Sequence, residues 1–545
     1  MRIKILIPIF IFLSYMLNAQ IAVNTDGSAA DSSAIVDIKS NNRGFLPPRI
    51  TNGKRDSITN PPEGLVIYNT TYKTLDFYNG KKWVSIGKGG VYAQDTNLFQ
   101  ITAGTDSVEA AYDIVASDDG SFVVTGKTGL SKNSNTDMYL IRLDDKGYFN
   151  HHGNYDEIYF NDDHSSGRKI INCIQSGYLV TYNSEDDYSG DKYVLTLRLS
   201  NNLNVNDTLG GYHYYYVNDL LQIYSAAQTD NRHFYFAGRC DTIDDENWPD
   251  AFVFHTDSVG TLAEKGFYFG RSYDDNFKDI IKLNNGKLIA VGYSYNPDVS
   301  YTSCGMAVEL NPDLTLNKSF GNNGVFSFEV SNYYTFFNSV VETDDGGVLI
   351  AGETNAFGQG YYDVLVIKLQ SNGVIDKNFA TDGILTIGGS DKEVAKKIIK
   401  TKDDNFVIAG YSYYSTWFNN IGDMYVVKIT PDGSLVSGFG YNGSGGLCIG
   451  GSNDDYAESI TETSNGSLVV AGYTYSFGIG QNDMYIVKLN RFGQPCSNAK
   501  AAPLTTGTGS GNQATGFVHG SINLHGQKVN LGKADNMTSI YRICH

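Results

Sequence analysis

Basic side chains are scarce in this 545-residue sequence, where 41 Lys and Arg stand against 59 Asp and Glu and leave a net charge of −18 at neutral pH. A polyanion-binding protein needs a cationic stripe that releases counterions, so no nucleic acid partner is expected. Proline and methionine are also sparse, at 11 and 7 residues, and no helical periodicity runs along the chain, which argues against a helical bundle. The six cysteines, at 173, 240, 304, 448, 496 and 544, are too scattered for a disulfide framework. The one pairing expected is Cys496 with Cys544, with free or buried thiols throughout as the alternative. Apart from residues 5–17, no apolar run approaches the ~18 residues of a membrane span.

Catalytic and metal signatures are missing as well. There is no Gly-x-Ser-x-Gly elbow, no Asp-x-Asp-x-Asp-Gly calcium loop and no His-Glu-x-x-His pair, and the adjacent His151 and His152 lack that spacing. Gly507, Gly509 and Gly511 sit in a Gly/Ser/Thr-rich linker without the strand-helix context of a nucleotide loop. No cofactor, no metal and no catalytic residue are therefore assigned, and the chain is read as not an enzyme.

What is abundant is glycine (59) and tyrosine (39), a bias toward aromatic strands joined by tight turns. Arg2 and Lys4, the apolar stretch 5–17 and then Asn18, Ala19 and Gln20 read as a secretory signal peptide over residues 1–19. The expected location is secreted or cell surface, with no membrane span after signal cleavage.

A turn, an apolar strand and a glycine recur as DDGSFVVTG (to Gly126), DNRHFYFAG (Gly238), NNGKLIAVG (Gly292), DDGGVLIAG (Gly352), KDDNFVIAG (Gly410) and SNGSLVVAG (Gly472). A degenerate copy, QSGYLVTYN, ends at Asn183, giving seven copies with a mean period of about 58 residues. A second strand follows most copies, as in DMYLIRL, DVLVIKL, DMYVVKI and DMYIVKL, each opened by an Asp (137, 363, 423 and 483) read as a structural acceptor. Further segments precede each turn (AYDIVAS, KDIIKL, NSVVET, KKIIKT, ESITET) or lie between units (GVFSFEV, GILTIGG). Four short strands per unit is one propeller blade, and the period is too long for a solenoid coil. Residues 101–106 resemble the fourth strand of later units yet precede the first turn, so they are expected to complete the last blade and close the ring.

The fold class expected is all-β: a seven-bladed β-propeller of four-stranded blades over residues 93–492, closed by N-terminal strand exchange, plus a small N-terminal β module over residues 20–92. Residues 493–545 read as linker and C-terminal tail. The units around Leu316 to Val325 and Ile375 to Ile384 resemble the delta-60 repeat of secreted bacterial propellers, a resemblance that implies a propeller and no particular chemistry. Residues 34–49, with Pro47 and Pro48, and residues 62–83, with Tyr68, Phe77, Tyr78 and Trp83, resemble an N-terminal segment of Bacteroidetes surface proteins that is itself similar to tail-fibre shaft modules. That resemblance implies a possible homo-trimer, and so small a module is expected to dock on the propeller or on copies of itself.

On one face of such a propeller, the connections between the second and third strands of a blade hold Tyr293, Tyr295, Tyr411, Tyr413, Tyr414, Trp417, Phe418, Tyr473, Tyr475 and Phe477. Neighbouring connections hold Asp162, Asp163, Asp274, Asp275, Asp391, Asp454 and Asp455. Planar aromatics stack on sugars or anchor proteins while carboxylates accept from hydroxyls, so these ten aromatics form the candidate ligand-binding set. The competing expectation is that the first Tyr after each Gly packs between blades, and only Tyr414, Trp417 and Phe418 exceed the repeat pattern. The functional expectation is an exported adhesion or binding protein whose partner is an extracellular glycan or surface protein. The alternatives are a propeller-type glycoside hydrolase or lyase, which needs paired carboxylates in a pocket, and a non-binding structural element of a surface appendage.

Overall fold

The computed structural model describes residues 21–495, with interruptions of which the longest are 87–97, 149–156, 205–211 and 242–248, together with the strand Gly520–Ile522. The expected signal peptide, most of the expected linker and tail, and Cys496 and Cys544 lie outside the described residues. Of the other cysteines, Cys173, Cys240 and Cys304 are buried thiols outside any disulfide, whereas Cys448 is disulfide-bonded. Two compact units divide the chain, residues 1–90 and 91–545.

In the first unit, Arg49–Ile50, Val66–Asn69, Thr74–Tyr78 and Trp83–Ile86 form one sheet in that order, in keeping with the small β module expected over residues 20–92. A short helix, Asn52–Asp56, was not expected; Thr51 caps it by accepting from the Lys54 N–H. Arg55 anchors this helix to the sheet, donating to the buried Asp76 at 2.6 Å, while Asn69 donates to the same carboxylate at 2.9 Å. A separate pair of parallel strands, Ile21–Val23 and Val36–Ile38, leaves all four of its end residues about half exposed.

The second unit is built from seven sheets. Six consist of four consecutive antiparallel strands; the seventh joins Asp455–Glu462, Leu468–Thr474 and Asp483–Leu489 to Gln100–Ala103. Residues 101–103, read from the sequence as a displaced fourth strand, thus pair with the third strand of the last sheet, and Gly520–Ile522 runs parallel beyond them. The first strands of the seven sheets, here called inner strands, are Glu109–Ala116, Ser166–Asn172, Gln222–Gln228, Asp275–Lys282, Thr335–Glu342, Glu393–Lys400 and Asp455–Glu462. Hydrophobic clusters lie between consecutive sheets: Leu349, Ala351, Val364 and Val366 of sheet 5 pack with Ala395, Ile398, Ile408 and Val427 of sheet 6. Sheets 7 and 1 share such a cluster, in which Val469, Ala471 and Ile486 meet Ala111, Ile114, Phe122 and Tyr139.

Every inner strand carries a β-bulge at one position, after Ala111, Gly167, Ile223, Phe277, Phe337, Ala395 and Ala457. The recurrent glycine is explained by it. In six sheets that glycine faces the residue before the bulge, and a β-carbon on Gly292, for example, would collide with the Asn276 carbonyl oxygen. Sheet 2 is the exception and corrects the repeat alignment by one residue: Tyr182, not Asn183, faces the bulge, and Gly167 on the inner strand instead gives room to Thr125 and Gly126 of sheet 1.

Candidate functional site

A bulge turns two successive residues to the same side of a strand. At the seven bulges these pairs are Tyr112 and Asp113, Arg168 and Lys169, Tyr224 and Ser225, Lys278 and Asp279, Asn338 and Ser339, Lys396 and Lys397, and Glu458 and Ser459. Thirteen of the fourteen line one cavity of about 260 Å³ that is open to solvent. Because all seven sheets contribute, the cavity lies where their inner strands converge.

The second residues of the pairs form a knitted tier. Asp279 accepts from the hydroxyls of Ser225 (2.7 Å) and Ser339 (2.8 Å), from the Val340 N–H and from Lys397 at 2.8 Å, which joins the inner strands of sheets 3, 4, 5 and 6. Burial pushes this carboxyl up, but Lys397 and Lys169 outweigh it and hold Asp279 at about 2. Asp113 does the same work across the join between the last sheet and the first two, accepting from Ser459 (2.6 Å) and the Ile170 N–H (3.0 Å) and pairing with Lys169 at 3.2 Å.

The first residues form a tier nearer the strand starts, and here the charges do not balance. Glu458 pairs with Lys396 at 3.2 Å, which uses the last of the three carboxylates lining the cavity. Arg168 and Lys278 are left, among the described residues, without a carboxylate at ion-pair distance. Arg168 lies over the Tyr112 ring (4.6 Å), with a buried Nε that has no hydrogen-bond partner, and the Lys278 ammonium lies 3.9 Å from the Tyr224 ring centroid. Burial, followed by the charges of Lys396 and Arg239, brings Lys278 down to about 7. Asp274, the acidic neighbour that counters this, is engaged by Arg239 at 3.3 Å. Glu353, on the second strand of sheet 5, is pushed by burial up to about 7; it accepts from Asn338 and does not line the cavity.

The ten candidate aromatics fall into three groups. Tyr293, Tyr295, Tyr411, Tyr413, Tyr414 and Tyr473 are strand residues rather than loop residues, because the second strands run on past the glycine to Asn296, Ser415 and Thr474. Tyr293 packs edge-on against Phe336 of the next sheet at 5.0 Å, and Tyr411 against Tyr456 of the next at 5.0 Å, so the first Tyr after the glycine packs between sheets. Tyr473 is likewise half-buried beside Tyr456, Tyr295 contacts Phe336, and the Tyr413 and Tyr456 hydroxyls share a 2.5 Å hydrogen bond. Tyr475 is 46% exposed and Phe477 packs on Tyr485. The Tyr414 side chain, Trp417 and Phe418 lie outside the described residues.

Exposed aromatics that the sequence analysis passed over are Tyr361 (73%) and Phe357, in the corresponding connection of sheet 5. The expected acidic face is corrected too. Asp275 and Asp455 are fully buried, and Asp454 accepts from the Gly422 N–H; Asp162 and Asp163 lie outside the described residues. The third-strand Asp363, Asp423 and Asp483 are buried against Gly388, Gly450 and Gly104, as structural residues are.

Comparison with known proteins bears on the fold. Residues 343–379 and 463–498 match a β-propeller domain of unknown function (DUF5122), and residues 22–120 match a phage tail-like trimerisation region. The chain carries a β-propeller. Solved structures similar to it include a protein of unknown function from Dyadobacter fermentans DSM 18053 (10% identity, TM-score 0.39, covering 72% of this chain and 98% of that one). The Dos1 propeller (10%, 0.37, 72% and 96%) and polysaccharide lyase Uly1 (8%, 0.42, 82% and 97%) are others. No curated protein matches the sequence.

Proposed function

We propose that this is an exported binding protein whose propeller, a closed ring of seven blades, captures an extracellular glycan or surface protein at its axial cavity. The delta-60 character of the repeat and a Bacteroidetes cell-surface setting belong to the same proposal. The observation that carries it is a contrast within the repeat. The bulge recurs in all seven sheets and the glycine facing it in six of them, as a fold requires, whereas the seven residues presented to the cavity mouth are Tyr, Arg, Tyr, Lys, Asn, Lys and Glu. Positions that a fold does not dictate are where a site is written. Binding is favoured over glycoside hydrolysis or lysis because each carboxylate lining the cavity is tied to a lysine, and Asp279 is held ionised far below the range of a general acid.

The test is binding of the full chain to glycan and matrix-protein arrays, beside Tyr112→Ala/Tyr224→Ala and, as a contrast, Tyr414→Ala/Trp417→Ala/Phe418→Ala. Loss in the first variant and retention in the second supports the cavity. Loss only in the second moves recognition to the outer loops, and a blank array for all three removes the binding reading.

A second reading, compatible with the first, concerns assembly. The match to a trimerisation region is accompanied by exposed Ile21, Val23, Val36, Ile38, Phe45 and Leu46, an apolar set on a unit with a small core. We propose that three copies cover this set. Light scattering of the full chain should give three times the chain mass, and Val23→Asp/Ile38→Asp should reduce it to one; a wild-type monomer at micromolar concentration refutes trimerisation.

A further inference from the structure

We propose that Arg168 and Lys278 hold the oxyanion of an acidic sugar, with the sugar ring against Tyr112 and Tyr224. The inference rests on the cavity reading above and specifies its ligand. Five cations and three carboxylates line the cavity, and three ion pairs consume all three carboxylates: Lys169 with Asp113, Lys397 with Asp279, and Lys396 with Glu458. The surplus of two is confined to the mouth tier, on blades 2 and 4 with Tyr224 of blade 3 between them. The chain as a whole carries a net charge of −18, so this two-cation surplus is opposite in sign to the chain's overall charge. Burial, then the charges of Lys396 and Arg239 and last that of Arg168, lower the affinity of the Lys278 ammonium for its proton. An anion between Arg168 and Lys278 counters that repulsion.

The chemistry of the lining narrows the class. Arg presents a planar fork that takes a carboxylate or sulfate through two parallel hydrogen bonds, and its Nε here still has a donor to give. Both cations lie on tyrosine faces, which offer flat apolar surface for the less polar face of a pyranose ring. Asn338 at the same tier and Ser225 below supply further polar groups. At about 260 Å³ the space falls just below the ~300–1,000 Å³ usual for small-molecule sites, so it admits one charged sugar at a chain end or branch and not a continuous strand. The shared chemistry is a single oxyanion on a hydroxylated ring, as in a uronic acid or a sugar sulfate ester.

The experiment is calorimetric titration of the full chain with glucuronic acid, glucose 6-sulfate, glucose and inorganic phosphate, repeated on Lys278→Met and Arg168→Gln, with the melting temperature of each variant recorded. We expect one or both acidic sugars to bind at least tenfold tighter than glucose and phosphate, and each variant to lose at least tenfold while remaining folded. Glucuronic acid above the sulfate assigns a uronate, and the reverse assigns a sulfate ester. Equal affinity for glucose overturns the charge assignment while leaving the cavity as a binding site. Phosphate binding as tight as the sugars overturns the sugar assignment. Unchanged affinity in both folded variants overturns the role of the two cations. A cavity that binds none of the four, in a protein that does bind neutral ligands on the array, overturns this inference without touching the broader reading.

Discussion

Replacing Lys278 with methionine should make the unliganded protein more stable, and the gain should depend on pH in a defined window. Lys278 sits at about 7 in the folded chain against 10.5 when unfolded, so between these values the unfolded chain binds the extra proton. Wild-type stability therefore rises as pH increases from about 7 to 10.5, and the full penalty is present below about 7. At ~1.36 kcal/mol per pH unit the interval sets a ceiling near ~5 kcal/mol. The cavity is open to solvent, and the share due to Lys396, Arg239 and Arg168 is screened by salt, so we expect ~1–2 kcal/mol. Methionine keeps the side chain's contact with Tyr224 and removes only the charge. Urea unfolding of both proteins at pH 6.5, 8 and 10, in 0.05 and 0.5 M NaCl, gives the comparison directly, because titrations that do not sense Lys278 cancel in the difference. A stabilisation of ~1–2 kcal/mol at pH 6.5 that fades by pH 10 and shrinks in salt is the expected outcome. Destabilisation at pH 6.5, or a gain that is flat across the three pH values, would refute the picture of a surplus, unpaired cation.

Asp455 is held by burial at about 7, well above its ordinary value, so its stabilising contribution is complete in acid and is lost as pH rises through about 7. Asp455→Asn should stabilise the fold by ~1–3 kcal/mol at pH 8 and by nothing at pH 4, read from thermal melts, with Glu393 and Glu462 adding wild-type pH dependence of the same sign. Asp279→Asn should do the opposite at neutral pH, costing ~3–5 kcal/mol by denaturant titration because Lys397 loses its carboxylate and one of the two oxygens that the serine hydroxyls and Lys397 bond to becomes a donor. Gly292→Ala should cost ~3 kcal/mol or more and broaden the unfolding transition, since the new methyl meets a backbone carbonyl that only a lost bulge can move; an unchanged melting temperature would show that the bulge is not fixed by the glycine.

The β-propeller, its strand order and the displaced strand at residues 100–103 could be read from the sequence because each depends on local features repeated seven times: a turn, an apolar run and a glycine. The turn itself tolerates variation. Gly286 adopts φ +85, and Asp404 takes the corresponding left-handed position (φ 63) in the copy where glycine is missing. The cavity was not read, although its signal is present in AAYDIV, SGRKII, NFKDII and VAKKII. Two successive polar residues interrupt the alternation there, which is how a bulge appears in sequence, and a strictly alternating strand pattern hides it. The tyrosines misled for a related reason. Exposure of Tyr411 or Tyr293 depends on where the strand ends and on which residue of the next sheet faces it, and neither is encoded within one repeat.

The pairing of Gln100–Ala103 with Asp483–Leu489 has a temporal consequence. The Phe99 carbonyl accepts from the Lys488 N–H across almost the whole length of the propeller sequence, so the first strand made has no place to go until the last repeat exists. A chain made N-terminus first thus carries its own delay: six sheets can form in order, but the sheet that takes in Gln100–Ala103 waits for residues 455–489. In the proposed closed ring, joining the seventh sheet to the first is a single late event whose entropy cost falls on one four-residue strand, and up to that moment the two faces flanking the join remain bare and open to other chains. In that proposed ring the same arrangement makes the join the place that would first come apart.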